Sequence, residues 1–138
     1  MSGEISYSQL RTFFSEDQFV AYVGIELVSG GEGQAMARLS LREHHLNGLG
    51  IVQGGVIFTL ADFTFAVAAN SHGRIAVSIH CAISYLKAVR KGVLFAEARE
   101  VSCGPKLAVY HIRVTDESGE LVSTFEGTAY LKKEKWEI

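Results

Sequence analysis

The chain is poor in the residues that would mark it as anything other than a soluble domain. It has one proline, Pro105, in 138 residues, so no Pro-rich linker or polyproline segment divides it. Two cysteines, Cys81 and Cys103, are too few for a disulfide framework and lack metal-ligand spacing. They read as reduced thiols on strands, and the expected location is cytoplasmic. The formal net charge of -2 gives no electrostatic case for nucleic acid. The longest apolar run is too short for a membrane span and carries Asp62. The start, Met-Ser-Gly-Glu-Ile-Ser, has no basic segment followed by an apolar one, so no secretory signal is expected. No internal repeat is visible. One domain over residues 1–138 is expected.

What is abundant is apolar sequence, 48% of the chain, concentrated around one stretch. Asn47-Gly-Leu-Gly-Ile-Val-Gln-Gly-Gly opens as a Gly-rich loop. From Val56 to Ala69 only Asp62 ionises. A helix apolar on all sides is a buried helix, expected here over about 54–71 with Gly73 as its C-cap. A bare carboxylate in such a helix costs several kcal/mol unless something compensates it, roughly as for any buried charge. Asp62 is therefore a candidate functional group.

The flanks read as one more helix and six strands. Ser15-Glu-Asp-Gln18 matches a capping box, predicting a short helix about 15–23 with Phe19, Val20 and Tyr22 packed and Gly24 closing it; residues 4–14 are a candidate extension. Residues 25–29 and 34–41 form a hairpin, with Ala35, Ala37, Leu39 and Leu41 on one face. Arg42 to Leu46 is a polar connection. Four strands follow, at 75–86, 93–102, 107–115 and 121–131. The class is α+β: an antiparallel sheet wrapped around one helix. Strict alternation puts Ile75, Val77, Ile79, Cys81 and Ile83 on one face of strand 75–86, and Ala76, Ser78, His80 and Ala82 on the other. Both faces are apolar, which implies a homo-oligomer covering the second one. The five histidines show no metal spacing, and His44-His45 reads as solvated loop.

This order of elements, with Asn47, then Gln53-Gly54-Gly55, then Asp62, resembles the hotdog-fold thioesterases, most closely the phenylacetic-acid-degradation type of acyl-CoA thioesterase. The strand motif Val77-Ser-Ile-His80 followed by Ile83-Ser-Tyr-Leu86 adds to the likeness, which covers about residues 19–131. The family implies five to six strands around one long helix and a site at the boundary between two subunits. It implies an enzyme hydrolysing a small, medium or aryl acyl-CoA to the free acid and coenzyme A, with no cofactor and no metal. By that resemblance Asp62 is the general base or the nucleophile, and Gly54 and Gly55 offer helix-start N–H groups to the oxyanion. Asn47 positions the carbonyl or water, and Ser78 hydrogen-bonds Asp62 or the water. Lys87, Arg90, Lys91 and Lys106 are candidates for the coenzyme A phosphates. The oligomer is expected to be a dimer or a dimer of dimers, a homotetramer, with no nucleic-acid or membrane partner.

The sequence departs from the family at two places. Gln53 stands where relatives carry His, and a Gln side chain hydrogen-bonds but does not titrate. Lys87-Ala-Val-Arg-Lys91 replaces a segment in which many relatives have a Pro. Two alternatives remain: a non-catalytic acyl-CoA or acyl-carrier binding protein of the same fold, and a hotdog hydratase or dehydratase.

Overall fold

A computed structural model describes residues 3–137. Two short helices, α1 (Tyr7–Phe14) and α2 (Gln18–Val23), precede the hairpin β1 (Glu26–Gly31) and β2 (Gln34–Ser40). The long helix α3 (Gly54–Asn70) follows, then β3 (Arg74–Tyr85), β4 (Val93–Cys103), β5 (Leu107–Thr115) and β6 (Leu121–Lys135). The six strands form one sheet in the order β1-β2-β4-β5-β6-β3, and each paired neighbour is antiparallel. After β2 the chain passes under the sheet as α3 and emerges at the far edge as β3. Strands β4, β5 and β6 then fill the gap. This is the architecture the resemblance implied, with six strands.

The inner face alternates as a sheet with one buried side should. In β5, Ala108, Tyr110, Ile112 and Val114 are fully buried while Leu107, His111 and Arg113 face out. Small residues line the track of α3: Ala35 and Ala37 on β2, Ala96 and Ala98 on β4, Ala108 on β5 and Ala129 on β6, all buried. They let the helix approach closely. Phe65 of α3 then packs on Tyr110 at 5.7 Å and Phe125 at 5.9 Å between ring centroids. Gly127 has to be glycine, because a Cβ there would lie 2.8 Å from the Phe65 ring. The outer face is polar at its centre, with His111 and Glu126 paired at 3.3 Å and Arg99 and Glu97 at 3.3 Å.

Four local expectations are corrected. The N-terminal helix is two helices. The working capping box is Ser6 with Gln9, and the second helix is capped by Asp17, whose carboxylate accepts from Val20 N–H. Ser15 instead ends α1, its hydroxyl donating to the Thr12 carbonyl at 2.6 Å. Val20 packs inward, but Phe19 and Tyr22 are exposed. Gly73 is not the cap of α3; Ser71 is, and Gly73 lies in the turn beyond it at φ 93°. His45 is buried rather than solvated: its Nδ1 accepts from Arg42 N–H at 2.9 Å and its Nε2–H donates to the Val23 carbonyl at 2.7 Å.

The fourth correction concerns β3. A bulge between Ser78 and His80 inserts Ile79 into the ladder and inverts the alternation beyond it. Ala76, Cys81 and Ile83 pack against the core, while Val77 and Ile79 are exposed. Strict parity would have put Ser78 and Cys81 on opposite faces; the bulge brings them to the same one. Among the described residues β3 pairs with β6 alone, so it forms one edge of the sheet.

Candidate active site

The loop before α3 is built by its own polar groups. Asn47 Oδ1 accepts from Leu49 N–H at 2.9 Å and from Ile51 N–H at 3.4 Å, an Asx-type turn that closes the loop. Arg90 clamps the same loop through the carbonyls of Leu49 at 3.1 Å and Gly50 at 3.3 Å. Gln53 is the N-cap of α3, its side-chain oxygen accepting from Gly55 N–H at 2.5 Å. That contact occupies one of the two glycine donors. Gly54 N–H meets no acceptor among the described residues, so at the positive end of α3 it is the donor left for an anion. Tyr85 packs on it: the phenol donates to the Gly54 carbonyl at 3.1 Å, and a Cβ on Gly54 would sit 3.2 Å from the ring.

Helix α3 is not buried on every side. Gly55, Thr59, Asp62 and Ala66 form its least covered stripe, at the i, i+4, i+7, i+11 spacing of one helix face. Asp62 is half-buried there, and no described residue donates a hydrogen bond to its carboxylate or forms an ion pair with it. Burial, and then the Asp17 carboxylate, push its pKa above the ordinary value. Cys81 lies within electrostatic reach of Asp62, and its Sγ is 3.1 Å from Ser78 Oγ. Burial pushes the Cys81 thiol up, so it stays protonated beside the carboxylate. The bulge in β3 thus brings Asp62, Cys81 and Ser78 to one seam between α3 and the sheet edge. Cys81 is the member that strict alternation missed.

The glycine donor and the carboxylate do not meet within one chain. Asp62 stands eight positions after Gly54, about 12 Å along the axis at the helical rise. No single carbonyl touches both. A cavity of about 370 Å³ opens beside Gly54, between Asn47, Ile57, Tyr85, Leu86 and Val89.

The four candidate phosphate ligands are not a group. Lys87 is held by Asp116 at 2.5 Å and Glu120 at 3.0 Å. The lysine holds the Asp116 carboxyl well below the usual carboxylate range. Lys87 is thereby neutralised in place. Arg90 is spent partly on the loop carbonyls, and Lys91 is exposed nearby. Lys106 sits in the β4–β5 turn, at the opposite end of those strands.

Among known proteins, the family model described as the thioesterase superfamily matches residues 49–123. A putative esterase of Archaeoglobus fulgidus is 36% identical over 118 residues, covering 85% of this chain and 77% of its own. The acyl-coenzyme A thioesterase PaaI of Escherichia coli is 30% identical over 126 residues, covering 91% and 90%. The solved structure of E. coli PaaI superposes with a TM-score of 0.86 at 30% identity, over 90% of this chain and 91% of that one. A hypothetical thioesterase from Streptococcus pneumoniae, solved with coenzyme A, superposes with a TM-score of 0.83 at 25% identity, over 91% and 98%.

Proposed function

The chain belongs to the thioesterase superfamily, with the hotdog fold, and from that premise we propose that it is an acyl-CoA thioesterase working at a site shared by two copies of itself. The observation that carries this reading is the uncompensated Asp62 carboxylate on the open stripe of α3, with the free Gly54 N–H two turns away. A hydrolytic site needs both groups around one carbonyl. Two antiparallel copies meeting along their β3 edges would set Asp62 of each against Gly54 of the other. The apolar edge of β3, with Val77 and Ile79 exposed, suits such pairing.

The chemistry follows from these groups. Asp62 takes a proton from water, and the hydroxide adds to the thioester carbonyl carbon. The developing oxyanion is met by Gly54 N–H and the dipole of α3. Collapse breaks the C–S bond, and the coenzyme A thiolate takes the proton back from Asp62. Direct attack by Asp62, giving an anhydride that water then opens, uses the same groups. Ser78 orients the water at the seam, and Asn47 and Gln53 hold the loop that aims Gly54. The cavity beside Gly54 takes the pantetheine arm; Lys87 on its wall is held by Asp116 and Glu120, so Arg90 and Lys91, next along the chain, are left for the phosphates, and Lys106 serves only from a neighbouring copy. The acyl group is small, medium or aryl. Two unpaired cysteines fit a reducing compartment, which supports a cytoplasmic location. The dimer is the minimum assembly, and a homotetramer is the larger one to test.

One contact favours a second reading. Gln53 caps Gly55 N–H, as an oxyanion-hole donor should not be, which would suit an acyl-CoA binding protein without turnover. Incubation with a panel of acyl-CoAs, following free thiol, separates the two. Thiol release that disappears in Asp62→Asn, with fold and assembly intact, supports hydrolysis. Saturable binding without release supports the second reading. Hydration of an enoyl-CoA without released thiol would support a hydratase.

A further inference from the structure

The far end of α3 carries a second constellation that thioester chemistry does not use. His72, in the turn after the helix, is held at both ring nitrogens: Nδ1 lies 2.7 Å from Glu4 Oε2 and Nε2 lies 2.5 Å from Glu100 Oε2. Glu4 arrives on the N-terminal segment, which is pinned beside the turn by Ile5 N–H donating to the Ser71 carbonyl at 2.9 Å. Glu100 stands on β4 just before a second bulge, where the ladder shifts between Glu100 and Ser102. That bulge turns Cys103 to the same side as Glu100. A ligating nitrogen of His72, a Glu100 oxygen and Cys103 Sγ all lie within 4.8 Å of one another. They border a solvent-open cavity of about 470 Å³ that Glu32, Gln34 and Arg99 also line.

We propose that His72, Glu100 and Cys103 bind a divalent transition-metal ion of the zinc class. One imidazole, one carboxylate and one thiolate form a mixed set that favours zinc over magnesium or calcium. Tetrahedral bonds of about 2.0–2.3 Å require ligand atoms about 3.3–3.7 Å apart, so Glu100 has only to step back from Nε2 by about 1 Å. Glu4 supplies what a metal-bound histidine normally has, a carboxylate on its other nitrogen that fixes ring and tautomer. The fourth position faces the cavity and water. A separate observation points to the same spot. Among the described residues Tyr110 Oη is fully buried with no hydrogen bond of normal geometry, and the Glu100 carboxylate lies close by. A Glu100 oxygen or a water repositioned by the ion gives that phenol its acceptor. The ion would join the N-terminal segment, the end of α3 and β4. It lies more than two helical turns from Asp62, so its role is structural.

The test is a cobalt titration of the chelator-stripped, full-length protein. One Co²⁺ per chain is expected, with the charge-transfer absorption of a thiolate ligand and the intense visible bands of tetrahedral geometry. Cys103→Ser should abolish the thiolate absorption, while Cys81→Ser retains it. Glu4→Gln should weaken binding by about 10- to 100-fold, the usual effect of losing a histidine's carboxylate partner. Thiol release from acyl-CoA should be unchanged in Cys103→Ser. No thiolate absorption in the wild type would overturn the proposal and leave a His–carboxylate ion-pair cluster only. Absorption that survives Cys103→Ser but not Cys81→Ser would overturn it as well.

Discussion

Asp62 holds a charge where burial disfavours it. Its folded pKa is raised, so the contribution to stability is present below the unfolded pKa and is lost as pH rises through the folded one. Asp62→Asn should therefore melt higher than wild type at neutral pH, with the gap closing as pH falls toward the ordinary carboxylate range; calorimetry across pH checks this. Activity should move the other way. The same substitution should cost about 10²- to 10⁴-fold in kcat/KM, the usual worth of a general base. In the wild type, kcat/KM should fall as pH drops through a pKa above the ordinary carboxylate value, since only the ionised form accepts the proton. At Gln53, Gln53→His should leave activity intact or raise it, because either side chain can accept from Gly55 N–H. A collapse would give the Gln amide a role of its own. Asp62 was legible in the sequence as a lone charge in an apolar helix. Cys81 was not, because alternation predicts which residues share a face only until a bulge intervenes.

At the scale of elements, the tight pairing of α3 with the sheet rests on contacts such as Phe65 against Gly127. Gly127→Ala should overpack that contact and cost about 1–3 kcal/mol, read from denaturant unfolding. A neutral result would mean the helix can back away from the sheet without loss. Strand positions and the central helix were legible because a period of two and a helix-long apolar run are strong signals. The N-terminal split was harder. Ser6 with Gln9 and Ser15 with Gln18 both match a capping box, and only the Ser15 hydroxyl, turned back to the Thr12 carbonyl, shows which one starts a helix. His45 was misplaced for a related reason: its polar neighbours suggested solvent, while its Nε2–H ties the loop to the Val23 carbonyl at the end of α2, more than twenty residues away. The proposed ligand set was invisible to spacing, because His72 follows a helix end while Glu100 and Cys103 share a side of β4 only through its bulge.

At the scale of the whole molecule, the proposed shared site makes the single chain an incomplete enzyme. The sheet ends in a long apolar edge at β3, and the open stripe of α3 runs beside it. Ile79→Lys should place a charge on that edge, reduce the assembly to monomer in light scattering coupled to sizing, and abolish thiol release. A monomeric variant that stays active would show that one chain suffices. The sharpest test separates the two halves of the site. Asp62→Asn removes the proposed base. Gly54→Pro removes the N–H donor at the first helical position, where proline is tolerated, and Gln53 already holds the extended backbone that a following proline requires, at φ -65° and ψ 134°. Each variant alone should be inactive. Co-expressed in equal amounts, they should recover about a quarter of wild-type activity, since half of the dimers are mixed and each mixed dimer has one intact site of two. No recovery, with mixed dimers shown to form, would contradict a site shared between subunits.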